Sequence, residues 1–132
     1  MVESLQQISG EMAGEVFVCR DSSGKEIKIG GDAGPRATDV LLMAAAGCAT
    51  ATLSALFQRD GFRPSRLEVM VEGVRADEKP RRFVAVKLTF VVECQGLTSE
   101  MMDKYMVITE RACPVMQSLN AERKLEYHLV TE

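Results

Sequence analysis

The chain has 132 residues, 46% hydrophobic and 27% charged, with a net charge of −3. At roughly 100–200 residues per domain it is expected to form a single folded domain over residues 1–132, and its mild acidity speaks against a nucleic-acid partner. The longest apolar run, ten residues from 40 to 49, is short of the roughly 20 of a membrane span, and Met1-Val2-Glu3-Ser4 does not read as a secretion leader, so a cytoplasmic protein with no membrane partner is expected.

Residues 15–19 and 26–29 flank Ser22-Ser23-Gly24-Lys25 and read as a hairpin closed by a glycine-containing turn. Gly30-Gly31-Asp32-Ala33-Gly34-Pro35 follows as a loop. From Thr38 to about Asp60 the pattern predicts a helix. Thr38 is its expected N-cap, Asp39 places negative charge in the first turn, Arg59 lies in the last turn and Gly61 is the stop. Val40, Leu41, Leu42, Met43, Ala44, Ala45 and Cys48 cover almost the whole circumference, so the helix is expected to be buried all round. One layer of sheet does not enclose such a helix, which points to a second subunit as the missing cover.

Residues 67–75 alternate, with Leu67, Val69 and Val71 on one face and Glu68 and Glu72 on the other. Ala76-Asp77-Glu78-Lys79-Pro80 turns the chain. Residues 83–93 form the returning strand, with Val84, Val86, Leu88, Phe90 and Val92 on one face. Residues 98–112 read as a helix opened by Thr98, with Met102, Tyr105, Met106 and Thr109 at helical spacing. Pro114 cannot continue that helix but suits the first turn of a short new one at residues 115–119. Residues 124–131 are the expected closing strand, with His128, the chain's one histidine, on its polar face.

The four cysteines are Cys19, Cys48, Cys94 and Cys113. No pair is spaced as C-x-x-C, which speaks against a zinc site, and Cys19 and Cys94 read as structural strand residues. Cys48 lies among small residues in Ala46-Gly47-Cys48-Ala49, either as core filler or as a sulfur that a substrate approaches. Cys113 sits at the helix break, either as a boundary residue or as a thiol made acidic by a helix N-terminus.

Gly34-Pro35, the stretch from Asp39 through Gly47-Cys48, and Ala112-Cys113-Pro114-Val115 placed 65 positions beyond Cys48 resemble the osmotically inducible protein C and organic hydroperoxide resistance (OsmC/Ohr) superfamily, in its OsmC-like branch. Gly61-Phe62 and the strand from Phe83 fit the same pattern, and the likeness runs from about residue 17 to residue 130. It implies a single OsmC-like α+β domain: antiparallel sheets with a long buried central helix, forming an intertwined homodimer with two sites at the subunit interface.

The same resemblance implies a thiol-dependent hydroperoxide reductase acting in oxidative-stress defence, with no cofactor and no metal. The cysteine matching Cys48 attacks the hydroperoxide, the one matching Cys113 resolves it into a disulfide, and a dithiol restores both. In the peroxidase branch an arginine from the N-terminal region and a glutamate ten residues before the nucleophile support the thiolate. Arg20 and Arg36 are the available arginines, with Arg20 taken as the match. Thr38 occupies the glutamate's position, so the acid is Asp39, nine residues before Cys48. That offset supports an alternative: a weakly active or non-catalytic OsmC-like dimer that binds a small hydrophobic ligand at its interface.

Overall fold

The computed structural model describes residues 3–130. The chain divides into two compact units, Met1–Leu41 and Leu42–Glu132. In the first, β1 (Ser9–Ala13), β2 (Val16–Arg20) and β3 (Glu26–Ile29) make a three-stranded antiparallel sheet in chain order. The predicted hairpin is β2–β3, in register Cys19 to Ile27. Its turn is closed by Asp21, whose carboxylate accepts from the Ser23 and Lys25 backbone N–H groups at 2.9 Å each. Strand β1 is an addition, paired Gly10 to Cys19 and joined to β2 through Gly14 at φ 66°.

The loop that follows is tightly folded on β3. The Gly30 N–H donates to the Pro35 carbonyl at 2.7 Å, and a Cβ on Gly34 would collide with the Lys28 carbonyl, so only glycine fits there.

Helix α1 (Ala37–Arg59) begins in the first unit and runs into the second. Its first backbone bond runs from Val40 N–H to Arg36 O at 3.0 Å, so Thr38 lies inside the first turn and is not the N-cap. Within the single chain α1 is not covered all round, as expected of a helix that one layer of sheet does not enclose. Only Ala45, Ala49, Leu53 and Phe57 are buried, one residue per turn along a single face, while Leu41 and Met43 are 41% and 55% exposed. The helix has the length predicted from the sequence, but its apolar character extends past the ten-residue run. Thr50, Thr52 and Ser54 interrupt the run without adding charge, so by length and composition α1 is apolar enough to cross a bilayer.

In the second unit, β4 (Arg66–Arg75), β5 (Phe83–Glu93) and β6 (Glu122–Val130) form a sheet in that order. The β4–β5 hairpin is antiparallel, Val69 opposite Phe90, as the alternation predicts. Strand β6 is parallel to β5, with Leu88 beside Leu125, which corrects the expectation of purely antiparallel sheets. The reason lies in the connection: α2 (Ser99–Ala112) and α3 (Pro114–Gln117) carry the chain back across the sheet, so the last strand starts where β5 started. The predicted closing strand ends at residue 131, which lies outside the described residues; within them, His128 is exposed as expected. Val86, Leu88, Phe90 and Val92 share one core with the buried face of α1 and with Met102, Tyr105 and Met106 of α2.

The C-terminal end of α1 is tied to α2 by charge. Arg59 grips Asp60 through two 2.9 Å bonds, and the Tyr105 hydroxyl donates to the same carboxylate at 2.6 Å. Arg59, followed by Tyr105, holds the Asp60 carboxyl down to about 2, while burial and then the Asp60 bond push the Tyr105 phenol up to about 12. A carboxyl depressed in the folded state stabilises it above the usual carboxylate range. That stabilisation is lost as pH falls from about 4 to about 2. Thermal unfolding midpoints across this window are expected to fall less steeply for Asp60→Asn than for the parent chain. Equal slopes would show that the carboxylate is not held.

Candidate functional site

Cys48 sits midway along α1, half-buried, with the buried Ala45 and Ala49 on its core side. Its carbonyl accepts from the Thr52 hydroxyl at 2.9 Å, and a Cβ on the preceding Gly47 would meet nothing within 4 Å.

Cys113 is held at the junction of α2 and α3. Its N–H donates to Thr109 O at 3.0 Å as the last bond of α2, and its carbonyl accepts from Gln117 N–H at 3.0 Å. Pro114 at the first position of α3 forces the break between the two helices. The Cys113 sulfur, 0% exposed, accepts from Met116 N–H at 3.5 Å.

The two cysteines are neighbours within the second unit, where Cys48 is among the groups that act on the Cys113 thiol. Burial pushes the Cys113 thiol up, against the pull of the Met116 N–H, and the neighbouring Cys48 thiol pushes it the same way. This corrects the expectation of an acidic Cys113. Desolvation outweighs the one well-placed backbone donor, because a four-residue helix has little dipole to offer.

The junction is clamped from outside by a group the sequence did not single out. Glu110 accepts from Arg123 of β6 at 2.7 Å and from the Gln117 side chain at 3.1 Å, while Arg123 also donates to Leu119 O at 2.9 Å. These bonds join α2, α3 and β6 around Cys113. Only the parallel placement of β6 brings Arg123 there, so no local sequence signal could have marked it. Thr109, one turn before Cys113, is fully buried, and among the described residues its hydroxyl has no partner.

Arg20 and Asp39 belong to the first unit, and each has an ion pair there. Arg20 meets Glu26 at 2.7 Å across β2–β3, and Asp39 meets Arg36 at 3.1 Å one turn back along the chain. Cys19, on β2, donates to Ile27 O at 3.6 Å, consistent with a structural strand residue. Cys94 is buried one residue beyond the end of β5, not within a strand as expected. All four cysteines are free thiols.

A family model described as OsmC-like protein matches residues 30–128, which include both Cys48 and Cys113. The chain belongs to the OsmC-like family. Among curated relatives, this OsmC-like chain is 27% identical over 106 residues to Protein YhfA of Escherichia coli, covering 77% of the chain and 79% of the relative. Among solved structures, a hypothetical protein of Aquifex aeolicus superposes with a TM-score of 0.87 at 14% identity, covering 98% of this chain and 99% of that one. The organic hydroperoxide resistance protein OhrB of Bacillus subtilis superposes with a TM-score of 0.63 at 17% identity, over 95% and 98% of the two chains. At these identities the solved structures establish the OsmC-like α+β fold and nothing finer.

Proposed function

We propose that this OsmC-like protein, acting as one domain over its whole length, is a thiol-dependent hydroperoxide reductase in which Cys48 is the nucleophile and Cys113 the resolving thiol. The observation that carries the reading is the unequal pair of neighbouring cysteines: a half-buried Cys48 near a fully buried Cys113. A hydroperoxide reaches the first and not the second.

The Cys48 thiolate attacks the distal oxygen, the O–O bond breaks, and the alcohol leaves after taking a proton. Sulfur is oxidised to a sulfenic acid and the peroxide is reduced. The Cys113 sulfur then attacks that of Cys48, the S–O bond breaks, and the oxygen departs as water. A dithiol reduces the resulting disulfide by two exchange steps and becomes a disulfide itself. The hydroperoxide resistance named for the Bacillus subtilis structure supports the class of substrate.

The working form in this reading is a cytoplasmic homodimer. The exposed apolar residues of α1, Leu41 and Met43, supply surface for a second copy, and a stable interface of this kind buries more than about 2,000 Å² in total. Sedimentation at micromolar concentration tests it, and a folded monomer would remove the dimer from the proposal. Arg20 and Asp39 are proposed as the groups that support the thiolate. Because each is paired elsewhere in the first unit, a slow enzyme or a binder of a small hydrophobic ligand is the second reading.

The pure protein, given an organic hydroperoxide and an excess of dithiol, is expected to consume the peroxide catalytically. Peptide mapping after one equivalent of peroxide is expected to show a Cys48–Cys113 disulfide with Cys19 and Cys94 unpaired. Untouched peroxide would favour the second reading, and a bridge that leaves out Cys48 would overturn the assignment of roles.

A further inference from the structure

A cavity of about 450 Å³ opens between the end of α1 and the outer side of α2, walled by Phe62, Tyr105, Met101 and Ile108. Its size falls in the range of small-molecule sites, roughly 300–1,000 Å³, and its walls are mostly apolar with a few polar groups at the mouth. Neither Cys48 nor Cys113 lines it. The wall is rigid on the aromatic side: Phe62 and Tyr105 stand edge to face at 6.4 Å, and both pack edge-on against Phe57. The α2 side is unusually apolar for open surface, with Met101 and Ile108 40% and 39% exposed and Val107 continuing the strip beyond Ile108.

The charges at the mouth do not balance. Asp60 is spent on Arg59 and on the Tyr105 hydroxyl, so that pair carries no net charge. Lys104 remains, lining the cavity without an ion-pair partner among the described residues. Lys104 is exposed, so a cationic ligand would be repelled by its ammonium while an anionic one would gain a partner there. An anion on an apolar body fits both features.

We infer that this cavity is a binding site for a small amphiphilic carboxylate, its hydrocarbon body on Phe62, Tyr105, Met101 and Ile108 and its carboxylate against Lys104. The inference stands apart from the peroxidase reading, because the site uses none of the cysteines and binding is measured without turnover.

Octanoate is the probe, with 1-octanol as its uncharged counterpart, both titrated into the full chain and followed by calorimetry. Octanoate is expected to bind more tightly than octanol. Lys104→Ala is expected to weaken octanoate by about three- to tenfold while leaving octanol unchanged, the size expected of one partly screened ion pair. Ile108→Asp is expected to abolish binding of both, and circular dichroism checks that each variant is folded. A second copy of this chain is the competing occupant. If Lys104→Ala shifts the sedimentation coefficient and not the octanoate affinity, the face is a subunit contact and the inference fails. It fails equally if octanoate does not bind at millimolar concentration, or binds with the same affinity to Lys104→Ala as to the parent.

Discussion

Cys48→Ser is expected to remove hydroperoxide consumption altogether, and Cys113→Ser to permit a single oxidation and then stall. The two outcomes differ because the sulfurs differ in access: Cys48 is half-buried and Cys113 fully buried. A serine hydroxyl at position 48 stays protonated at neutral pH and is a far weaker nucleophile than a thiolate, so no first step occurs. With Cys113→Ser, Cys48 still reaches the sulfenic acid, but nothing within the chain displaces its hydroxyl. Excess peroxide then drives it to the sulfinic acid, which a dithiol does not reverse. Mass spectrometry of the intact variant reads this as a gain of two oxygens on the peptide containing Cys48. The rival is an exchange of roles, which a sulfenic acid trapped on Cys113 in Cys48→Ser would establish. The complete burial of Cys113 and its upward-shifted thiol both weigh against that rival, because a peroxide cannot reach the sulfur and the sulfur holds its proton. The upward shift also sets the pH dependence of resolution. Disulfide formation is expected to accelerate as pH rises through and beyond the ordinary thiol range, where Cys113 begins to ionise.

Phe57→Ala is expected to cost about 3–5 kcal/mol of folding stability, the range found for removing a buried aromatic ring. Phe57 is 1% exposed and packs edge-on against Tyr105 with ring centroids 5.0 Å apart. It is therefore the point where the last turn of α1 meets α2, and its loss leaves a void between elements that no nearby side chain fills without moving a helix. Urea unfolding followed by circular dichroism measures the change as a lowered midpoint at constant slope. Met70→Ala, on the exposed side of β4, is the control and is expected to stay within about 0.5 kcal/mol of the parent. An effect of that same small size for Phe57→Ala would mean the aromatic cluster is not part of the core.

The elements that sequence made legible are those with a strong period. The β4–β5 hairpin was readable to within a residue because Val69, Val71, Leu88, Phe90 and Val92 alternate cleanly, and α2 because Thr98 caps it and Met102, Tyr105, Met106 and Thr109 recur at helical spacing. Strand β1 was not readable. Ser-Gly-Glu-Met-Ala is exposed throughout and has no apolar face, so only its backbone pairing with β2 makes it a strand. The direction of β6 was hidden for another reason: alternation is the same read forwards or backwards, and only the crossover decides between parallel and antiparallel. At the site, the two cysteines were legible through family resemblance. The protonation preference of Cys113 was not, since it depends on burial by distant residues. The clamp of Glu110, Gln117 and Arg123 and the cavity beside Lys104 arise from segments that meet only after folding.

The parallel pairing of β5 with β6 also governs the order in which the molecule can assemble. Strands β4 and β5 are neighbours in sequence and close their hairpin locally, whereas β6 docks only after some thirty intervening residues have formed and crossed the sheet. Cys113 lies within that crossing segment, and Cys48 lies ahead of both strands. The approach of the two cysteines joins segments 65 residues apart, a non-local contact with a larger loop-closure cost than the β4–β5 hairpin. During synthesis, a chain released only as far as the end of β5 carries Cys48 without its counterpart. If Cys113 is the resolving thiol, as proposed, an oxidised Cys48 has no such partner until the crossover is complete.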